Sequence, residues 1–280
     1  MDFEMLLSQP APLLAARVWL RLMGTARQRE RYGVLQRASY AYGLHRAANV
    51  ARYFGYSKVT VCEFGVADGN GLVNMIEVAE SLSRETGIGY RIVGFDTGEG
   101  LPEVSGYKDH PEIWSPGDFA GPGREGLLKR VAGRAELIFG DINETIQGFT
   151  DSITPDAPLG FIAVDVDIYS ATRAALRCLG GVPEKYCPAV GIYFDDVDFY
   201  FANRWCGELA ALEEFNAGSE FRKIDRDRSL PGSRPVRDAR WYRQMYVCHV
   251  LDHKARSNPR PRGALTIAEH HGFLKTFAVC

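Results

Sequence analysis

Residues 58–71, K-V-T-V-C-E-F-G-V-A-D-G-N-G, constrain the fold more than any other part of the chain. Val59, Thr60, Val61 and Cys62 form a short apolar, β-branched run of the kind buried on both faces of a parallel sheet. Glu63 closes that strand. Gly65, Gly69 and Gly71 then let the backbone turn tightly and approach a ligand, and the amphipathic run 72–83 predicts a helix. A strand, a glycine turn and a helix N-terminus together make a ligand cradle. The glycines are spaced G-x-x-x-G-x-G behind an acid. A dinucleotide fingerprint needs G-x-G-x-x-G, and the sixth position counted from Gly69 is Asn74, which disfavours a nicotinamide oxidoreductase.

The same grammar recurs downstream. An apolar run at 91–95 ends in Asp96, about 25 residues beyond the glycine turn, where a nucleoside-binding sheet sets a carboxylate on ribose hydroxyls; the alternative is an Asp that caps a turn. Residues 135–139 predict a third strand, and Asp141 after it is placed to accept from an adenine amino group. Between them, residues 97–124 carry prolines at 102, 111, 116 and 122 and show no helix or strand period. A segment this long without periodicity is more often functional than accidental. Tyr107, His110, Trp114 and Phe119 make it a candidate lid over a ligand. A helix at 124–131 follows the lid.

Upstream, Leu13, Leu14, Val18, Trp19, Leu22 and Met23 give an amphipathic helix with arginines on its other face, expected to pack on its own domain, with a dimer contact, a lid or a membrane surface as alternatives. Residues 28–31 are too polar to be core. A helix at 40–53 leads into the first strand; Tyr42 and His45 on it are candidates to face a substrate, although aromatic residues at this spacing usually pack inside.

Residues 159–164 form another buried-strand run that ends in D-V-D-I-Y-S-A-T, and residues 188–194 a further one that ends in Asp195-Asp196. The predicted helix 170–179 between them makes a right-handed crossover, so the two acidic ends come together at the ligand-binding edge of an open α/β sheet. Two carboxylates about 4 Å apart repel by roughly 4 kcal/mol at an effective dielectric near 20. Three or four must therefore be protonated, solvated or bound to a cation, and an all-oxygen set suits magnesium, calcium or manganese. A non-catalytic module would have no use for such crowding. Residues 205–215 predict a helix, and 221–224 with 245–251 an antiparallel strand pair.

The first motif resembles that of class I S-adenosylmethionine (SAM) methyltransferases. The combination E-F-G-V-A-D-G-N-G, F-D-T-G-E-G-L-P, G-D-I, D-V-D-I-Y-S-A-T and Y-F-D-D-V, spread over residues 42–215, resembles the macrocin O-methyltransferase (TylF-like) family. The resemblance implies a Rossmann-like, doubly wound, mostly parallel α/β sheet with N-terminal helices and a C-terminal antiparallel strand pair. It implies SAM held by Glu63, Gly65, Ala67, Gly69, Gly71, Asp96, Thr97, Asp141 and Ile142. It further implies Mg2+, with Mn2+ or Ca2+ as alternatives, held by Asp165, Asp195 and Asp196, and Asp167 as general base. The activity implied is methylation of a hydroxyl on a natural-product sugar, and a metal would be chelated best by two adjacent oxygens, which adds a vicinal diol or catechol to the expected acceptors; the family is compatible with a homodimer. Where the family more often reads D-S-F-E-G-L-P, this chain has Asp96, Thr97, Gly98 and Glu99.

Composition narrows the partners. At 280 residues, one large α/β domain at 58–255 with an N-terminal helical region at 1–57 and a tail at 256–280 is expected. The net charge of -2 gives no reason to expect nucleic acid. Residues 222–262 nonetheless hold twelve Lys or Arg against four Asp, a surplus of eight, read either as solvated surface or as a seat for an anionic acceptor group. Six cysteines without C-x-x-C spacing fit reduced thiols in the cytoplasm. Asp2, Glu4, Arg17 and Arg21 argue against a signal peptide or a membrane span, which needs about 20 apolar residues. His270-His271 lacks a third ligand and is expected at the surface.

Overall fold

A computed structural model describes residues 11–232, 234 and 238–257. The chain runs α1 (Ala11–Met23), α2 (Ala26–Arg31), α3 (Ala38–Phe54), β1 (Lys58–Phe64), α4 (Asn70–Thr86), β2 (Gly89–Asp96), α5 (Gly123–Val131), β3 (Glu136–Phe139), α6 (Ile142–Ser152), β4 (Leu159–Val164), α7 (Tyr169–Leu176), β5 (Tyr186–Phe194), α8 (Gly207–Gly218), β6 (Arg222–Arg226) and β7 (Met245–Val250). The apolar runs named above become strands, buried in β1, β4 and β5 and only half-buried in β3, and β4 has the predicted limits. The seven strands lie in the order β3-β2-β1-β4-β5-β7-β6, parallel through β5 and antiparallel at β7 and β6.

Register is what builds the site. Phe64 pairs with both Phe95 and Val164, and Val164 pairs with Phe194, so three parallel pairings end in one row. The next residue of each strand therefore emerges at one edge. Strand order reverses between β1 and β4, which opens a crevice there. Side chains from α3, α4 and α5 fill one face of the sheet and side chains from α6, α7 and α8 the other. Because α3 belongs to this covering layer, the segment 1–57 divides, with its last helix built into the main core.

Three expectations change. Val18, Trp19, Leu22 and Met23 on α1 are exposed, and the helix buries Leu20 instead, so these four residues of the apolar stripe do not pack as expected. Glu30, assigned to a stretch too polar for the core, is buried, with Arg234 and His45 as its ion-pair partners, because a buried carboxylate is tolerated when cations meet it. Helix α6 was not predicted, yet Asp141 caps it through the Asn143 amide at 2.7 Å and Ile146 and Phe149 anchor it. No helix among the described residues is long and apolar enough to cross a membrane. Cys62, Cys178, Cys187, Cys206 and Cys248 are free, while Cys280 and His270-His271 lie outside the described residues.

Candidate active site

The aligned strand ends surround a cavity of about 750 Å³. Its floor depends on two glycines. Gly65 has φ 84°, and a Cβ there would run into the Asp165 carbonyl oxygen, so only glycine lets the turn after β1 pass the end of β4. A Cβ on Gly71 would strike the Glu63 carboxylate, so the start of α4 stays bare to make room for that side chain. Gly69 begins α4 behind the wall.

On the β1–β2–β3 side the acids are bound by backbone. Asp96 Oδ2 accepts from the Val66 and Ala67 amides at 3.0 and 2.8 Å, and its Oδ1 from Gly98 at 2.6 Å. This carboxylate thus caps a turn and lines the cavity at once. Thr97 Oγ1 donates to the Gly100 carbonyl, and Asp141 and Ile142 complete the wall beside the start of α6. Glu63 is fully buried. Tyr40 Oη donates to its Oε1 at 2.7 Å, while its Oε2 has no partner. Burial pushes the Glu63 carboxyl up to about 8.

Opposite lies the acidic cluster. One oxygen each of Asp165, Asp195 and Asp196 falls within 4.8 Å of the others. Burial, then the charge of Asp195, raises Asp165; burial, then Asp165 and Asp195, raises Asp167; burial, then Asp167 and Asp195, raises Asp196. Asp167 holds a left-handed φ of 62°, unusual for a residue with a Cβ and a form of strain that clusters at functional sites. Behind Asp196, Glu208 is completely buried and accepts the Asp196 amide at 2.8 Å on Oε2. Its Oε1 and the Asp196 Oδ2 are both buried without a hydrogen bond. Tyr193 donates to Asp195.

Sequence reasoning named Glu63, Gly65, Ala67, Asp96, Thr97, Asp141, Ile142, Asp165, Asp167, Asp195, Asp196 and Trp114, and all of them line this one cavity. It missed Arg37, which lies just before α3 with Nη1 3.4 Å from Asp165 Oδ2, and it missed Tyr193 and Glu208. Their partners stand far away in sequence or are turned inward by packing, so no local pattern marks them.

Four lid or substrate candidates are not at the cavity wall. Tyr42 is buried, with its hydroxyl donating to Asp227 at 2.7 Å, and His45 pairs with Glu30. Tyr107 points to solvent. His110 is buried edge-on to Phe199, with Nδ1 2.8 Å from Glu112. What ties that part of the lid down is Asp109, fully buried, which accepts the Ser105 and Ser170 amides at 2.9 and 2.7 Å. Trp114 and Phe119 meet at the cavity with ring planes tilted by 59° and centroids 5.7 Å apart.

Among the described residues, five of the twelve cations in the basic stretch have carboxylate partners, two of these acids lying outside it. Arg222 pairs with Asp252, Arg228 with Asp225, Arg234 with Glu30, and Arg240 and Arg243 with Asp198. The solvated-surface reading therefore accounts for it better than an anion seat. Among the described residues Arg37 is the one cation that lines the cavity, against Glu63, Asp68, Asp96, Glu103, Asp141, Asp165, Asp167, Asp195 and Asp196.

No family model and no curated protein matches the chain. Among solved structures it is similar to the O-methyltransferase NovP, at 14% identity over 76% of this chain and 79% of that one, with a TM-score of 0.50. Others are the calicheamicin methyltransferase CalS11, at 21% identity over 88% of each chain and a TM-score of 0.48, and the O-methyltransferase TomG from Streptomyces achromogenes in complex with SAM, at 15% identity over 80% of this chain and 85% of that one and a TM-score of 0.36. The chain has the methyltransferase fold. At these identities the likeness speaks to the fold alone.

Proposed function

We propose that the chain transfers a methyl group from SAM to a hydroxyl oxygen of a small molecule, with a divalent cation held by the acidic cluster. The observation that carries this reading is the lining of the cavity: one guanidinium against nine carboxyl groups, four of them with raised pKa values, on a methyltransferase fold. Such a wall favours a cofactor that brings a sulfonium and an ammonium group. It opposes a nicotinamide dinucleotide, whose pyrophosphate is doubly negative. The five motifs that resemble the macrocin O-methyltransferase family favour a sugar hydroxyl as acceptor, and chelation of the cation by two adjacent oxygens favours a vicinal diol or catechol.

The residues fit a divalent ion. Asp165, Asp195 and Asp196 offer an all-oxygen set within reach of one point, and the buried, unpartnered Asp196 Oδ2 calls for a positive neighbour. When bound, the cation supplies Lewis acidity that lowers the pKa of an acceptor hydroxyl. Bound SAM supplies the electrophilic methyl group.

The protein does the rest by position. Glu63, with its unpartnered Oε2, would hold the ammonium group of SAM, Asp96 and Thr97 the ribose, and Asp141 and Ile142 the adenine. Asp167 accepts the acceptor's proton at its carboxylate, a role its raised pKa matches to neutral pH. Trp114 and Phe119 cover the reacting centre and exclude water.

The test is calorimetry with SAM, with and without magnesium, followed by transfer of labelled methyl to catechol and glycoside acceptors in the presence of magnesium or a chelator. Micromolar SAM binding and chelator-sensitive transfer are expected. No SAM binding in either condition would sink the reading, and transfer indifferent to chelator would remove the metal from it.

A further inference from the structure

Arg37 is the odd charge in this cavity. It sits where the chain enters α3, over a hundred residues from the acids it meets, and the ten residues around it carry no motif. Its contact with Asp165 is a single 3.4 Å approach, looser than the short bidentate forks that guanidinium and carboxylate prefer. The same Nη1 donates to Tyr40 Oη at 3.3 Å, and the guanidinium carbon stands 5.1 Å from the Tyr40 ring. The side chain is 36% exposed, so part of it already meets solvent and can move away from the cluster. Burial opposes its charge, but Tyr40, Glu63 and Asp165 outweigh that and hold the guanidinium firmly protonated.

Resting on the metal reading above, we propose that Arg37 is a resident counter-ion that a divalent cation must displace from Asp165, so that this one side chain sets the cation affinity of the site. In the ion-free protein the guanidinium supplies the positive charge that Asp165 needs. A divalent ion among Asp165, Asp195 and Asp196 meets a like charge beside it, and Arg37 gives up Asp165 while keeping the contacts it already makes with the Tyr40 ring and hydroxyl. The loose geometry at Asp165, the contacts with Tyr40 that hold the guanidinium independently of Asp165 and the partial exposure of the side chain are what a displaceable charge requires.

Manganese titration followed by the electron paramagnetic resonance of free Mn2+ tests this on the full chain. Removal of the competing charge in Arg37→Gln is expected to tighten Mn2+ binding roughly tenfold, with Arg37→Lys near the parent, and the gap is expected to narrow in high monovalent salt. Equal or weaker binding by Arg37→Gln, with binding still abolished by Asp196→Asn, overturns the counter-ion role and leaves the metal site standing. No Mn2+ binding by either protein overturns both. Should Arg37→Gln not fold, the parent protein decides: with its arginines labelled with 15N, the Arg37 Nε resonance, assigned through Arg37→Lys, is expected to move on addition of Mg2+, and a stationary signal overturns the proposal.

Discussion

The two sides of the cavity use the same residue type in opposite ways. On the β1–β2–β3 side Asp96 accepts three backbone amides and Asp141 one, each belonging to the turn that follows a strand. On the β4–β5 side Asp165, Asp167, Asp195, Asp196 and Glu208 crowd together behind a single loose guanidinium. In the first group the carboxylates are consumed in shaping the loops that receive a ligand. In the second, carboxyls crowd with few cations to meet them, and burial and mutual repulsion raise their pKa values; protonation or, on the reading proposed above, a divalent ion settles that charge. The difference separates a surface made by folding from a charge kept for chemistry, and it can be broken by experiment.

The largest effect belongs to the unbalanced side. Asp195→Ala combined with Asp196→Ala should lower turnover by about 10³-fold or more, the loss of several kcal/mol of charge stabilisation. SAM affinity should change by less than about threefold, because the cofactor's wall is on the other side. Calorimetry beside a methyl-transfer assay reads both, and a joint loss would mean that the two sides are one unit. Asp167→Asn should retain the fold and SAM binding while turnover falls about 10²- to 10⁴-fold, the usual worth of a general base.

Stability should divide the sides in the opposite sense. Asp96→Ala leaves three amides at a tight turn without their acceptor and should cost roughly 3 kcal/mol. Asp196→Asn removes one of several repelling charges and should leave the ion-free protein as stable as the parent or more so. Urea unfolding of both variants, without added metal, checks this. An Asp96→Ala protein as stable as the parent would show that the turn holds its shape unaided.

The sequence analysis reached one side more fully than the other. Strands whose neighbours are buried on both faces read as unbroken apolar runs, so β1, β4 and β5 and the acids at their ends were legible from residue type and order. Register then carried those acids to one edge without further information. What stayed hidden depends on contacts between distant segments. Arg37 reaches Asp165, Tyr42 reaches Asp227 and Glu30 reaches Arg234 only once the fold exists. Helix α6 was in principle readable from the Asp141 cap and the spacing of Ile142, Ile146 and Phe149, a signal masked by reading Asp141 as a ligand group alone. His110 and Tyr107 show the converse: aromatic residues in a lid are set by where the lid is anchored, and Asp109 anchors it so that Trp114 and Phe119 turn inward instead.

Glu63 stands on the border of the two sides, and the smallest effect tests to which it belongs. Its buried carboxyl titrates at about 8 in the folded chain, above its value when unfolded. Between the two values the folded state holds a proton that the unfolded state has released, so this group's contribution makes stability fall as pH rises through that window. The melting temperature of the ligand-free protein should therefore drop by a few degrees from about pH 5 to about pH 8, and Glu63→Gln should flatten part of that slope. The neighbouring acids of the cluster have pKa values raised in the same direction and account for the remainder. A cofactor ammonium against Oε2 favours the ionised carboxylate, so SAM should stabilise the parent protein more at the alkaline end of the range than at the acid end, and Glu63→Gln should lose that difference. If SAM protects the parent equally across the range, Glu63 does not meet the ammonium group, and its carboxyl serves the Tyr40 hydroxyl and the packing around Gly71 alone.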